Sequence, residues 1–322
     1  MFKPILPLSK VSGWAVASGV ANAAHTVICE IQPGPRFDNI LISGNAGVSK
    51  KMTDLIGDIR VIVNDETVRQ HSAAELNAIN ALYGPQYAAY NGNAGSATAA
   101  NNVFQLPIFF AEPWRKDTIT DDKLAWNTRN VRNFRIEVDI KADTFTTPTA
   151  LSFQAEADAA PLDSDAPGLM GLIVKYDRTT LNLATGWNDV MSLPRIGAYQ
   201  ALHLVSTAIT DVEILQGAAR RLGPIGLAQL QARQFNRDMF PIYPAFAAAA
   251  AAPAGVLGAT SGIAIMGGTN HAATRGMTDV VFDQNDKPSS SLIADPSQDF
   301  NVRLNISAGA NVVALYSRLT TL

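Results

Sequence analysis

Cysteine is almost absent: Cys29 is the only one in 322 residues. An intrachain disulfide and a thiolate zinc site are therefore excluded. The run Val27-Ile28-Cys29 marks a buried, inert thiol. Charge is scarce as well, at 16% of residues against the usual quarter. The formal net charge is −3, and no run of Lys or Arg exceeds two residues. The basic tail or patch of a nucleic-acid binder is missing, so no direct nucleic-acid partner is expected. No stretch approaches the roughly 18 apolar residues of a membrane-spanning helix. What remains is a chain with 47% apolar residues, long enough for two domains of ordinary size. Apolar content this high with so little charge predicts an outside partly hidden against other chains. The plainer alternative is a monomer with a Ser/Thr/Asn/Gln-rich surface.

Catalytic signatures are lacking too. The histidines are His25, His71, His203 and His271, no two within 45 residues of each other. A metal-dependent double-barrel enzyme of the cupin type needs a His-x-His pair, and there is none. His203, between Leu202 and Leu204, reads as a core or interface histidine. No Gly-x-Ser-x-Gly elbow or Walker loop occurs, and Gly262–Gly268 lacks the lysine a phosphate cradle requires. No catalytic residue and no enzyme activity is expected. Two acidic groups could offer hard oxygen ligands: Asp163 with Asp165, and Asp283 with Asp286, near Asp295. Calcium is the cofactor they would suit, but the twelve-residue calcium-loop spacing is absent, and solvated turns are the plainer reading.

Strand patterns dominate what is there. Phe134, Ile136, Val138 and Ile140 alternate with polar residues, as do Phe300, Val302, Leu304 and Ile306. Period two with one wet face marks antiparallel sheet. Further strands are expected at Thr26–Gln32, Asp38–Ser43, Asp58–Asn64, Val103–Phe110, Ala150–Ala157, Leu169–Tyr176, Ala198–Ser206, Asp211–Gln216, Thr278–Asp283 and Asn311–Ser317. Two helices are signalled. Ser72–Tyr83 opens on a Ser72/Glu75 capping box and ends at Gly84-Pro85. Pro224–Phe235 has a proline in its first turn.

The order of these elements repeats. Asp58–Ile62 and Asp211–Leu215, 153 residues apart, are each followed by a helix; Asn133–Val138 and Asn301–Ile306 match 168 residues apart. The extra length of the second copy falls between Phe246 and Gly276. A duplicated β-domain follows, with its boundary in the Pro- and acid-containing stretch Ala159–Pro167. The expected organisation is an N-terminal arm at 1–24, a first β-domain at 25–160, and a second at 161–322 with a long loop at 245–276. The other charge-poor loop is Gln86–Asn102. The opening residues imitate a signal peptide, but Ser12, Gly13, Ser18 and Gly19 break the apolar stretch, and an ordered or semi-ordered arm is expected. Phe2, Lys3, Lys10 and Trp14 give that arm an aromatic and basic mixture suited to a lipid surface. A strand clamped on a neighbouring subunit explains them equally well.

This order of elements resembles the double jelly-roll major capsid proteins of tailless, membrane-containing icosahedral bacteriophages, of the corticovirus type and related to the tectivirus type. In the first half the resemblance rests on Asp58–Asn64 with the capped helix, then Phe109-Phe110-Ala111-Glu112-Pro113-Trp114 and Lys123–Trp126 leading into Phe134–Ile140. In the second it rests on Leu193–Leu204, Asp211–Leu215, Asp299–Ile306 and Val312–Arg318. The resemblance implies an all-β fold with a few helices, built as two tandem eight-stranded jelly-roll barrels. It further implies a homotrimer of pseudo-hexagonal outline, tiling a virion shell over an internal membrane. Neighbouring trimers, vertex (penton) proteins and minor membrane proteins would be its partners. A receptor- or carbohydrate-binding β-sandwich of the spike kind is the alternative, and it calls for a groove of exposed aromatics. Trp14, Trp114, Trp126 and Trp187 are scattered along the chain, which disfavours it.

Overall fold

The computed structural model describes all residues except 1–3, 84–86, 92–102, 115–123, 130, 159–171, 228, 231–276, 283–290 and 322. The chain divides into two compact units, the first ending at Val174 and the second starting at Lys175. The stretch 159–167, where a boundary is expected, lies outside the described residues.

Eight strands frame the first unit: β1 Ile5–Leu8, β2 His25–Ile31, β3 Arg36–Asn45, β4 Ile56–Val63, β5 Glu66–Ser72, β6 Val103–Phe109, β7 Phe134–Ile140 and β8 Thr149–Asp158. They form two sheets, ordered β1-β8-β3-β6 and β2-β7-β4-β5. Period-two patterning decides which face each strand buries. On β7, Phe134, Ile136, Val138 and Ile140 are at most 2% exposed, while the polar residues between them reach the surface. Ile40 and Ile42 on β3, Phe104 and Leu106 on β6 and Phe153 on β8 complete the core between the sheets. A two-residue turn joins β4 to β5, with Asn64 at φ 50° and Asp65 at φ 65°. Asn and Asp tolerate this left-handed geometry, which matches the twist of the flanking strands. A short helix, α1 (Met52–Leu55), precedes β4, and α2 (Ala73–Tyr83) follows β5.

In the second unit the strands are β9 Leu172–Leu183, β10 Gly186–Val190, β11 Gly197–Val205, β12 Ile209–Gln216, β13 Ala219–Gly226, β14 Thr278–Val281, β15 Phe300–Ile306 and β16 Ala310–Thr321. Their sheet orders are β9-β16-β11-β14 and β10-β15-β12-β13. Adding eight to each label of the first unit reproduces both orders. Two four-stranded antiparallel sheets connected in this way make a jelly roll, and the chain is two jelly rolls in tandem. The second core gathers Tyr199, Leu202, Leu204, Val212, Ile214, Phe300, Val302 and Leu304.

The long alternating strands lie where the pattern places them, β7 and β15 to the residue. The capping box is present: the Ser72 N–H donates to the Glu75 carboxylate at 2.7 Å, and the Glu75 N–H donates to Ser72 Oγ at 3.2 Å. The second helix differs from expectation. Pro224–Gly226 closes β13, helix is seen at Leu227 and at 229–230, and the rest of the expected helix, 231–235, lies outside the described residues. β13 ends its sheet order, the place where a strand tolerates a proline because the missing N–H costs no ladder bond. Residues 5–12, read from sequence as part of an arm, form β1 against β8 and the short strand Lys10–Ser12 against β2. Leu6, Leu8, Val11 and Trp14 pack on the first core.

Candidate assembly surfaces

Phe2, Lys3, Asp163, Asp165, Asp283, Asp286 and His271 lie outside the described residues, as do most of the two long loops. Lys10 is exposed, 4.0 Å from Glu30, and the Trp14 ring is held against the first core. Asp295 caps its own turn, accepting from the Ser297 hydroxyl at 2.6 Å and the Ser297 N–H at 2.9 Å. The Ser297 hydroxyl, foremost, holds its carboxyl below the usual range. Among the described residues no three His, Cys, Asp or Glu side chains come together as a metal site. His25 accepts from the Ala15 N–H at 3.3 Å, His71 is buried on β5, and His203 meets the Asp279 carboxylate at 2.6 Å, both buried.

The tryptophans do not gather. Trp126 is fully buried in the first core, stacked on Phe110 at 4.2 Å. Trp114 sits in a half-buried group with Tyr83, Tyr87 and Phe109. Trp187, in the second unit, is 44% exposed and lies under the Arg303 guanidinium at 5.3 Å.

A feature that sequence patterning missed is an ion-pair ladder on the outer face of the same sheet in each unit. In the first, Arg60 on β4 donates twice to Asp139 at 2.7 Å and once to Glu137 at 3.1 Å, both on β7. Arg135 then links Glu137 at 3.0 Å to Asp65 at 2.9 Å. The Arg60 guanidinium holds the Asp139 carboxyl below the usual range, and Arg135 does the same for Asp65. In the second, buried Glu213 on β12 pairs with Arg303 on β15 at 2.7 Å and with Arg220 on β13 at 2.8 Å; Arg303 also reaches Asp189 on β10 at 3.0 Å. Cross-strand register sets Arg60 opposite Glu137 in one unit and Glu213 opposite Arg303 in the other. Corresponding strand pairs thus carry the same contact with the signs exchanged. Strand alternation predicts that these side chains face outward; the register that pairs them is fixed only by the assembled sheet.

Each ladder cross-links neighbouring strands and so rigidifies the outer face of its sheet.

Comparison with known proteins shows what the chain is similar to. Residues 16–159 match the viral coat protein P2 N-terminal domain. The match spans the first jelly roll, from β2 to β8. Among solved structures, the major capsid protein P2 from bacteriophage PM2 superposes with a TM-score of 0.68 at 13% identity, covering 99% of this chain and 98% of that one. The STIV MCP gives 0.58 at 12% identity, over 98% and 96% of the two chains. The Faustovirus major capsid protein gives 0.58 at 8% identity, over 100% and 91%. At these identities the superpositions carry the fold, and they carry it over both jelly rolls. No curated protein matches the chain by sequence.

Proposed function

We propose that this chain is the major capsid protein of an icosahedral virus, a structural subunit resident in the virion shell. The observation that carries the reading is the tandem jelly roll itself: two barrels of identical strand order in one chain, the first matching a coat-protein family. The three superposed structures, each a major capsid protein, support it. Three copies of a two-barrel chain present six similar lobes, so a trimer can fill a hexagonal lattice position that would otherwise need six chains. Scarce charge suits wide lateral contacts with neighbouring trimers. Vertex and minor membrane proteins are further partners in this reading. An internal membrane would meet the edge that carries the exposed Lys10. A calcium ion between carboxylates such as Asp163, Asp165, Asp283 and Asp286 could join subunits; if so, EDTA lowers the melting temperature of the assembled protein, and no shift dismisses the ion.

Light scattering after size exclusion tests the central reading. The expected mass is three times the 34.3 kDa chain, and electron microscopy of the source particle should show trimers on flat facets. A chain that remains monomeric at high concentration would sink the proposal.

A further inference from the structure

In the first unit the segment Gly13–Ala24 carries no charged residue and runs between the short strand Lys10–Ser12 and β2. Its entry is drawn tight against β2. Gly13 turns at φ 87°, and a Cβ there would meet the Thr26 carbonyl oxygen at 2.4 Å, so glycine is what brings the chain this close. Trp14 and Val16 then pack on the first core. Between them, the Ala15 N–H donates to His25 Nε2 at 3.3 Å. The other ring nitrogen of half-buried His25, Nδ1, lies 3.0 Å from the Ala23 carbonyl oxygen.

These two contacts fix the tautomer. A backbone N–H only donates, so Nε2 is the bare nitrogen; a carbonyl only accepts, so Nδ1 carries the hydrogen. The imidazolium has a hydrogen on both, and its Nε2–H would face the Ala15 N–H, donor against donor. Protonation therefore removes the Ala15 bond and keeps the Ala23 bond. The segment's other ties are of a different kind. Asn22 Oδ1 accepts from the Ala17 N–H at 2.8 Å, and its Nδ2 donates to the Ala17 and Val20 carbonyls at 3.0 Å. The Gly19 N–H donates to the Phe145 carbonyl at 2.8 Å, and the Thr147 N–H to Ser18 Oγ at 2.9 Å. Amides, hydroxyls and carbonyls do not change charge near neutral pH. The charged groups of the neighbouring elements are engaged with one another or with backbone. Lys10 stands 4.0 Å from Glu30. Asp139 on β7 is bonded to Arg60 and Thr26, and Glu137 to Arg60 and Arg135. Lys141 donates to the Thr53 carbonyl at 2.8 Å, and Asp143, beside Asn22, is paired with Lys50.

We propose that His25 is a proton-operated latch on the entry to this segment. With the neutral ring, residues 13–16 are clipped to β2. With the imidazolium, Ala15 is let go and Trp14 and Val16 lose the tie that seats them, while the Asn22 bonds hold the far end. Histidine ordinarily changes charge between pH 5 and 8, and acidification is the signal such a latch reads. What it loosens is an uncharged stretch, so acid presents apolar side chains to solvent at this end of the first jelly roll without unfolding the barrel.

Hydrogen exchange of the full chain, read at single amides and compared as protection factors at pH 7.5 and 5.0, tests the latch. In the wild type, protection of the Ala15 amide should fall at least tenfold at the lower pH, and that of the Gly19 amide should stay within about twofold. His25→Gln supplies an acceptor of similar reach that does not titrate, so Ala15 should stay protected at both pH values. His25→Phe should leave Ala15 unprotected at both. Equal Ala15 protection at the two pH values in the wild type overturns the proposal, as does an Ala15 amide already unprotected at pH 7.5. An equal fall in the Gln variant assigns the response to another group and also overturns it, and so does protection that survives in the Phe variant. The wild-type ring gives a readout that needs no variant. Nitrogen-15 spectra at pH 7.5 should show His25 with Nδ1 protonated and Nε2 bare, and the opposite tautomer rejects the latch.

Discussion

At the scale of single residues, Arg60 holds the first ladder together. Its three donated bonds to Asp139 and Glu137 are charge-assisted, but the side chain is 25% exposed, so solvent discounts their worth. Arg60→Ala should cost about 1–2 kcal/mol, read from the shift of a urea unfolding midpoint. The Asp139 carboxyl is held low chiefly by Arg60, so the folded chain resists its protonation more than the unfolded chain does. Its stabilisation is therefore complete above the unfolded value, about 3.9, and is lost as pH falls through the lower folded value. Asp139→Asn should flatten the acid limb of stability against pH, and an unchanged limb would show that other carboxylates govern it. Burial, with a smaller contribution from Glu30, pushes the Cys29 thiol up to about 12, so it stays protonated at neutral pH. A chromogenic disulfide reagent should react with it only after denaturant unfolds the first jelly roll.

At the scale of elements, two local devices fix chain direction. Ser72→Ala removes half of the capping box on α2 and should cost about 1 kcal/mol in chemical unfolding. Gly47 sits at φ 90°, and a Cβ there would meet the Thr146 carbonyl oxygen at 2.4 Å. Gly47→Ala should lower the melting temperature by several degrees, the effect of roughly 1 kcal/mol or more for a domain of this size. Elements were legible in the sequence where one face is wet. β7 and β15 alternate cleanly because each is buried on one side only, and α2 announces itself through Ser72, Glu75 and Gly84-Pro85. β1 was hidden by Pro4 and Pro7 and by its brevity. β13 was hidden by Pro224, which marks a helix start as readily as an edge strand. β10, Gly-Trp-Asn-Asp-Val, has almost no apolar alternation because it lies at the end of its sheet order. The surfaces were less legible still. Cross-strand partners such as Arg60 and Glu137 are 77 residues apart, and no periodicity connects them.

At the scale of the whole molecule, the first jelly roll depends on residues that sequence patterning assigned to an arm. Leu6 and Leu8 pack against the core, and β1 pairs with β8 over four residues. Deleting residues 1–9 should therefore weaken the first barrel itself, seen as an earlier calorimetric transition, where a detached arm would leave melting unchanged. The same pairing has a consequence for how the protein is made. Ile5–Leu8 meets Phe153–Glu156, so the earliest strand waits on the ribosome until its acceptor emerges, an interval on the order of ten seconds at typical translation rates. β9 waits likewise for β16. Where many nascent copies grow side by side, each trails an identical unpaired strand. Translation speed then governs how often one chain's opening strand is captured by its neighbour, and slow codons before Thr149 should raise the yield of entangled oligomers.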